Sequence, residues 1–284
     1  MGGAAKAFGA AVPIAALGGL FGLGGAEFRL PVLVGPLGYA PRRAVPLNLA
    51  VSLVTIAASL AIRSRSLTLT PVAPYVPVLL VLIAGAMVAA LFGASLFHRL
   101  SDHAIERLIV TLLFVIGCAL IAEAFLPTAT GALLPVAVWL PAGVLFGLGI
   151  GLVSSLLGVA GGEVIIPMLI FAYGVDVKTA GTASLLVSLP TVIVGIARYV
   201  QRGAYERGSL AATVVPMGAG SIIGAIIGGL LVGAISASAL KVILGIVLMA
   251  SAIRMHRHRT GDRDGAAGGD ASGPSLRSAK ASNR

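Results

Sequence analysis

The sequence predicts an all-α polytopic membrane protein made of two homologous halves, each with a glycine-rich broken or re-entrant helix. Three observations predict it. Of 284 residues, 58% are hydrophobic and only 11% charged, with mean hydropathy +1.04, whereas a soluble domain carries about 25% charged residues. Apolar runs near the roughly 20 residues that cross a bilayer recur along the chain. A glycine-rich segment ending in glutamate occurs twice, 136 residues apart.

The long segments lie near residues 7–25, 44–62, 75–97, 104–126, 131–157, 179–199, 209–234 and 237–254. Two shorter apolar pieces, 28–40 and 164–175, follow the glycine motifs. The first segment follows one lysine, Lys6, and has the length of a signal peptide. Its motif recurs at 158–163, where no signal peptide could stand, so it belongs to the mature fold. The lone Cys118 excludes an intramolecular disulfide and reads as a small buried hydrophobe. Trp139 and Tyr199, near segment ends, read as interface anchors.

Residues 255–284 are rich in Gly, Ser and Ala and carry six Lys and Arg residues from Arg257 onward, which with Arg254 just before them make seven. Such a composition cannot bury a core and predicts disorder. A basic stretch directly after the last span predicts a cytoplasmic C-terminus by the positive-inside rule, here in a cell inner membrane. Nucleic-acid binding is excluded, since no interleaved aromatics and no folded base-reading module are present.

The first motif reads Gly22-Leu23-Gly24-Gly25-Ala26-Glu27 with Pro31 after it. The second reads Gly158-Val159-Ala160-Gly161-Gly162-Glu163 with Pro167 after it. A shift of 136 residues aligns 22–61 with 158–197 without a gap, pairing Gly38 with Gly174, Ser52 with Ser188 and Thr55 with Thr191. The chain therefore divides into a first membrane repeat (1–126), a second (127–254) and the tail (255–284). Gly24, Gly25, Gly161 and Gly162 permit backbone angles that other residues avoid. Pro31 and Pro167 are expected to help break the helix. Broken helices at membrane depth are tolerated only within protein or beside a wet cavity, and their exposed N–H groups attract anions. If the short segments complete crossings, the halves run parallel; if they are re-entrant, the halves are inverted. Inversion places Arg42, Arg43, Arg99, Arg107, Arg198, Arg202 and Arg207 inside, leaving Arg63, Arg65, Lys178 and Lys241 outside. That asymmetry favours inversion.

The run from Gly22 to Pro31 with Gly38 and Ala44, and the run from Gly158 to Pro167 with Gly174, Ala180-Gly181-Thr182 and Ser184, resemble the TauE/SafE family, also called toluenesulfonate uptake permeases. The first copy departs from the family pattern at Ala26 and at Val45-Pro46-Leu47-Asn48. The resemblance spans nearly all of the membrane portion. It implies a secondary transporter, permease or exporter, of sulfite, organosulfonates or related small anions.

A carboxylate at membrane depth marks a functional site by default. Glu27 and Glu163 are the deep acids, and either suits a coupling proton, because burial raises a carboxyl pKa, or a brace for a helix end. Arg29 carries a guanidinium that matches an oxyanion fork, or it pairs with Glu27. Asn48, Ser52 and Thr55, and their equivalents Ser184, Ser188 and Thr191, lie at helical spacing and form a polar stripe, facing either a cavity or a neighbouring helix. The four histidines have no metal-ligand spacing, and no cofactor motif or nucleophile elbow occurs. The expected partners are a small anion, the bilayer and a coupling proton, with homo-oligomerisation left open. An enzyme is disfavoured. The alternative is a structural or channel-like membrane protein without coupled transport. Truncation after residue 258 is expected to leave membrane insertion and transport intact; loss of membrane-integrated protein on immunoblotting of that truncation would make the tail structural.

Overall fold

The computed structural model describes residues 2–66, 70–96, scattered helical positions between 111 and 125, 132–157, 160–250 and residue 253. The 255–284 tail lies outside the described residues. Every regular element among them is helical. In order they are α1 (Gly3–Phe21), α2 (Ala26–Val34), α3 (Pro41–Ser66), α4 (Val76–Leu96), α5 (Trp139–Leu157), α6 (Gly162–Tyr173) and α7 (Val177–Gln201). Then follow α8 (Arg207–Ala234), which contains a π-helical turn at Leu210–Val214, and α9 (Ala237–Ala250). Five of these segments are long and apolar enough to cross a bilayer.

The repeat spacing reappears in the elements. α1, α2 and α3 begin at residues 3, 26 and 41; α5, α6 and α7 begin at 139, 162 and 177, each 136 later. Local signals explain the boundaries. Gly22 (φ 86°) ends α1 in the left-handed region and returns its N–H to Gly18 O at 2.8 Å, a conformation that costs glycine nothing. The Asp176 carboxylate caps α7 by accepting from the N–H groups of Lys178 and Thr179, two donors with no intrahelical partner. The prolines, by contrast, do not break anything. Pro31 and Pro167 lie inside α2 and α6, so the sequence-based expectation that they share in the break is corrected: glycine alone makes it.

The halves are inverted. At one end of the bundle the Arg43 side chain, at the start of α3, pairs with Glu206, just beyond α7, at 3.0 Å. There also Tyr205 donates to Pro46 O at 3.1 Å, and burial pushes its phenol up to about 12, so the donor stays protonated at neutral pH. At the opposite end the Arg63 side chain, near the end of α3, reaches Lys178 O and Thr182 Oγ1 at the start of α7. Equivalent helices thus run antiparallel. α1 descends from the Arg43 end, stops at Gly22, and α2 returns to pack Leu33 with Ala7, Ala44 and Met217. In the second half α5 starts beside Tyr75 at the other end, where the Trp139 and Tyr75 rings stack at 5.9 Å, and α6 returns to set Tyr173 against Trp139. Each hairpin is re-entrant, and each half enters from its own end.

The halves also interlock, since α1 packs along α8 of the other half and α5 along α4. Both contacts are made by glycine. Carbonyls of Phe8, Val12 and Ala16 occupy the space a Cβ would need at Gly220, Gly224 and Gly228, and Leu82 and Ala86 carbonyls do the same at Gly147 and Gly151. Without a hydrophobic drive between helices in lipid, such close approach supplies the association. The outer surface is apolar, with Leu80, Leu145, Leu230 and Val215 exposed. Cys118, expected to be buried, is exposed; a lipid-facing surface accepts a thiol as readily as a core does. Gly228→Val is expected to abolish recovery of monodisperse protein in detergent, because Ala16 O blocks its side chain, whereas Gly233→Ala, which meets nothing within 4 Å, should elute as wild type in size-exclusion chromatography.

Candidate functional site

The two glycine breaks meet in the middle of the bundle. Gly25 (φ 68°) and Gly161 (φ 79°) start α2 and α6 from the left-handed region, which only glycine reaches cheaply. A Cβ on Gly24 would lie 2.7 Å from Ala160 Cβ and 3.7 Å from Ser52 Cβ. A Cβ on Gly162 would lie 3.1 Å from both Leu23 Cδ2 and Ser184 Oγ. Gly22 abuts the backbone of Gly181 on α7. The motif of each half therefore packs on the motif of the other, between the antiparallel pair α3 and α7.

The halves satisfy their broken backbones differently. In the first, Arg29 is 0% exposed. Its Nη2 donates to Gly24 O and Thr55 Oγ1, both at 3.0 Å, and its Nη1 to Ser52 Oγ at 3.0 Å and to Asn48 Oδ1 and O at 3.4 Å. Asn48 Nδ2 in turn donates to Ala26 O at 3.0 Å. Arginine is suited to this, because its rigid fork serves several acceptors at once. In the second half the position of Arg29 is held by Ile165, fully buried. There Ser188 Oγ donates directly to Ala160 O at 2.9 Å, the carbonyl equivalent to Gly24 O. Ser184, in the place of Asn48, is too short to copy its bond. Its Oγ is fully buried and has no hydrogen-bond partner among the described residues.

Glu163 stands in the first turn of α6 and is 9% exposed, where the helix dipole favours a negative group. Glu27 stands in the first turn of α2; its side chain lies outside what is described. The stripe residues Asn48, Ser52, Thr55, Ser184, Ser188 and Thr191 are all buried between helices. Arg29 is committed to the stripe and the break, so its guanidinium is a brace at the core of the first half.

One residue escaped the sequence reading. Arg63, assigned to an outer loop, is 1% exposed. Its side chain donates to Gly19 O, Leu20 O, Lys178 O and Thr182 Oγ1 at 2.6–3.2 Å. It caps the C-terminus of α1, whose last carbonyls have no intrahelical donor, and fastens it to α7. The signal was present: Asn48, Ser52, Thr55, Ser59 and Arg63 continue a single helical stripe along α3. No cluster of three His, Cys, Asp or Glu side chains suited to a metal occurs among the described residues.

A family model described as "Sulfite exporter TauE/SafE" matches residues 7–255. No curated protein and no solved structure matches.

Because Arg29 serves so many acceptors, its removal should act on the fold. Arg29→Ala leaves Gly24 O, Ser52 and Thr55 facing a void, at a cost of about 3 kcal/mol or more. The expected result is a thermal midpoint lowered by many degrees in detergent, with Arg29→Lys intermediate. An Arg29→Ala protein as stable as wild type would return Arg29 to the list of substrate contacts.

Proposed function

The chain belongs to the TauE/SafE sulfite exporter family, and from that premise we propose that it is a secondary transporter of small oxyanions which binds its substrate where the two broken hairpins cross. The observation that carries this reading is the unpartnered Ser184 hydroxyl beside Gly162, at the N-terminus of α6. In the first half Arg29 and Asn48 fill the corresponding space. In the second half a donor is left facing the start of a twelve-residue helix, whose first N–H groups have no partner within the helix and whose dipole favours an anion. A sulfite or sulfonate group accepting from Ser184 and from α6 would satisfy both.

Glu163 is the residue we assign to proton coupling. A carboxylate one turn from an anion site repels the anion when ionised, so binding and protonation are linked. Glu27, in the half whose crossing is filled by Arg29, is assigned to bracing. The inverted repeat supplies the remaining requirement, two related hairpins that open in turn toward opposite ends around one site. Basic residues gather at the Arg43 end, with Lys6, Arg198, Arg202 and Arg207, so we place that end and the C-terminus in the cytoplasm.

The test is flux in proteoliposomes against a panel of sulfite, aliphatic and aromatic sulfonates, carboxylates and sulfate. Ser184→Ala is expected to fold and to lose at least tenfold in flux, and Glu163→Gln to fold and lose its pH dependence. No flux of any oxyanion under either a pH gradient or a counter-anion gradient would overturn the transport reading. Wild-type flux in Ser184→Ala would move the site away from the crossing.

A further inference from the structure

The polar stripe of α7 does not end at the crossing. Ser184, Ser188, Thr191, Gly195 and Tyr199 follow one another on a single face and occupy the positions that Asn48, Ser52, Thr55, Ser59 and Arg63 occupy on α3. The two stripes differ at their outer ends. On α3 the end is closed, because Arg63 is wholly buried among four acceptors. On α7 it opens into a recess of about 50 Å³ between α3, α4, α5 and α7, lined by Ser154, Thr191, Arg198, Tyr199 and Arg202 over an apolar wall. The recess lies at the Arg43 end of the bundle. Ser154 is in the last turn of α5 before the second glycine break, and Thr191 is one turn from Ser188, which holds Ala160 O.

We propose that this recess is a vestibular binding site for a small oxyanion, one step outward from the crossing. Two guanidinium groups four residues apart converge on a cavity that holds a few water-sized groups, which is room for a three- or four-oxygen anion. Arg198 is positioned by donating one Nη1 hydrogen to Ala90 O, leaving the rest of its fork to other acceptors. Tyr199 adds a hydroxyl, while Thr191 Oγ1 already donates to Val187 O at 2.9 Å, and Arg202 is exposed at the mouth. Arginines at a helix C-terminus are favoured by the helix dipole alone, but that preference needs no cavity and no tyrosine hydroxyl beside it. A sulfite-type substrate and a phospholipid headgroup share the chemistry this recess selects, so the test must separate them. As a stage on the transport path, the site rests on the reading of the preceding subsection.

Full-length protein in neutral detergent is titrated calorimetrically with sodium sulfite and with sodium sulfate, against sodium chloride at matched ionic strength. Sulfite or sulfate should bind where chloride does not, and Arg202→Gln should weaken the affinity by about tenfold, as expected for one charge-assisted hydrogen bond. Arg43→Gln, at the same end but paired with Glu206, should bind as wild type. In vesicles Arg202→Gln should raise KM with little change in maximal rate. Unchanged affinity and KM in both Arg202→Gln and Arg198→Gln would overturn the vestibule while leaving the transporter reading intact. Arg202-dependent binding in a protein with no flux would do the reverse. If phosphatidylglycerol added to the micelles abolishes sulfite binding and sulfite cannot restore it in excess, the recess is a lipid headgroup site and the vestibule is overturned.

Discussion

A helix broken inside a bilayer must find partners for its loose backbone groups within the protein, because lipid offers none and each unmet group costs several kcal/mol. This one constraint organises the molecule. The carbonyls of Gly24, Ala26 and Ala160 at the breaks find their donors in Arg29, itself held by the α3 stripe, in Asn48 of that stripe and in Ser188 of the α7 stripe. The stripes bring α3 and α7 together along their buried faces. The glycine contacts of α1 with α8 and of α5 with α4 then close the bundle round the crossing. Polar satisfaction and small-residue packing thus do what a hydrophobic core does in water.

The two halves started from one pattern and solved that constraint in two ways. In the first half a cation is spent on the backbone, with Arg29 bound to Gly24 O and the stripe. In the second a hydroxyl suffices, with Ser188 bound to Ala160 O. The economy of the second solution leaves Ser184 without a partner. Pseudo-symmetry puts two hairpins at one place, and on the function proposed above the second offers a ligand the Ser184 hydroxyl. A substrate site at the centre of an inverted repeat need not be symmetric, and on that proposal the half filled by Arg29 is the scaffold for the other.

Much of this was legible in the sequence. The repeat spacing of 136 residues predicted equivalent helix starts, and the structure sets α1 to α3 and α5 to α7 at that spacing. The glycine motifs predicted breaks, and the loop charges predicted inversion. Two things were misread. Proline was read as a breaker, yet Pro31 and Pro167 sit within short helices that begin at the glycines. Proline weakens a helix at the bond it cannot make, and a positive-φ glycine ends it outright. Arg63 was read as a loop residue because composition places an arginine at a span end by default. Its burial depends on the C-terminal carbonyls of α1, which arrive from a distant part of the chain, and no local pattern announces them. The side-chain position of Glu27 and the whole of the tail lie outside the described residues, so the sequence reading of both stands as expectation.

Arg63 and Tyr199 occupy the same place in the repeat and do opposite things. Arg63 draws the end of α1 onto the start of α7 and leaves no room beside the stripe. Tyr199 stands beside a recess that its own half does not fill. The stripe is therefore filled at the end that carries Arg63 and meets a recess at the end that carries Arg43. For an inverted-repeat transporter to expose the crossing to the other side, the Arg63 contacts would have to loosen while the α7 recess closes. The four acceptors of Arg63 are three backbone carbonyls and one hydroxyl, with no carboxylate among them. A guanidinium held by neutral acceptors is retained less tightly than one in a buried ion pair. It can let go for water without stranding a counter-charge in the membrane. That is the property a gate needs, and it follows from the neutral partners of Arg63, a buried arginine that links the two halves.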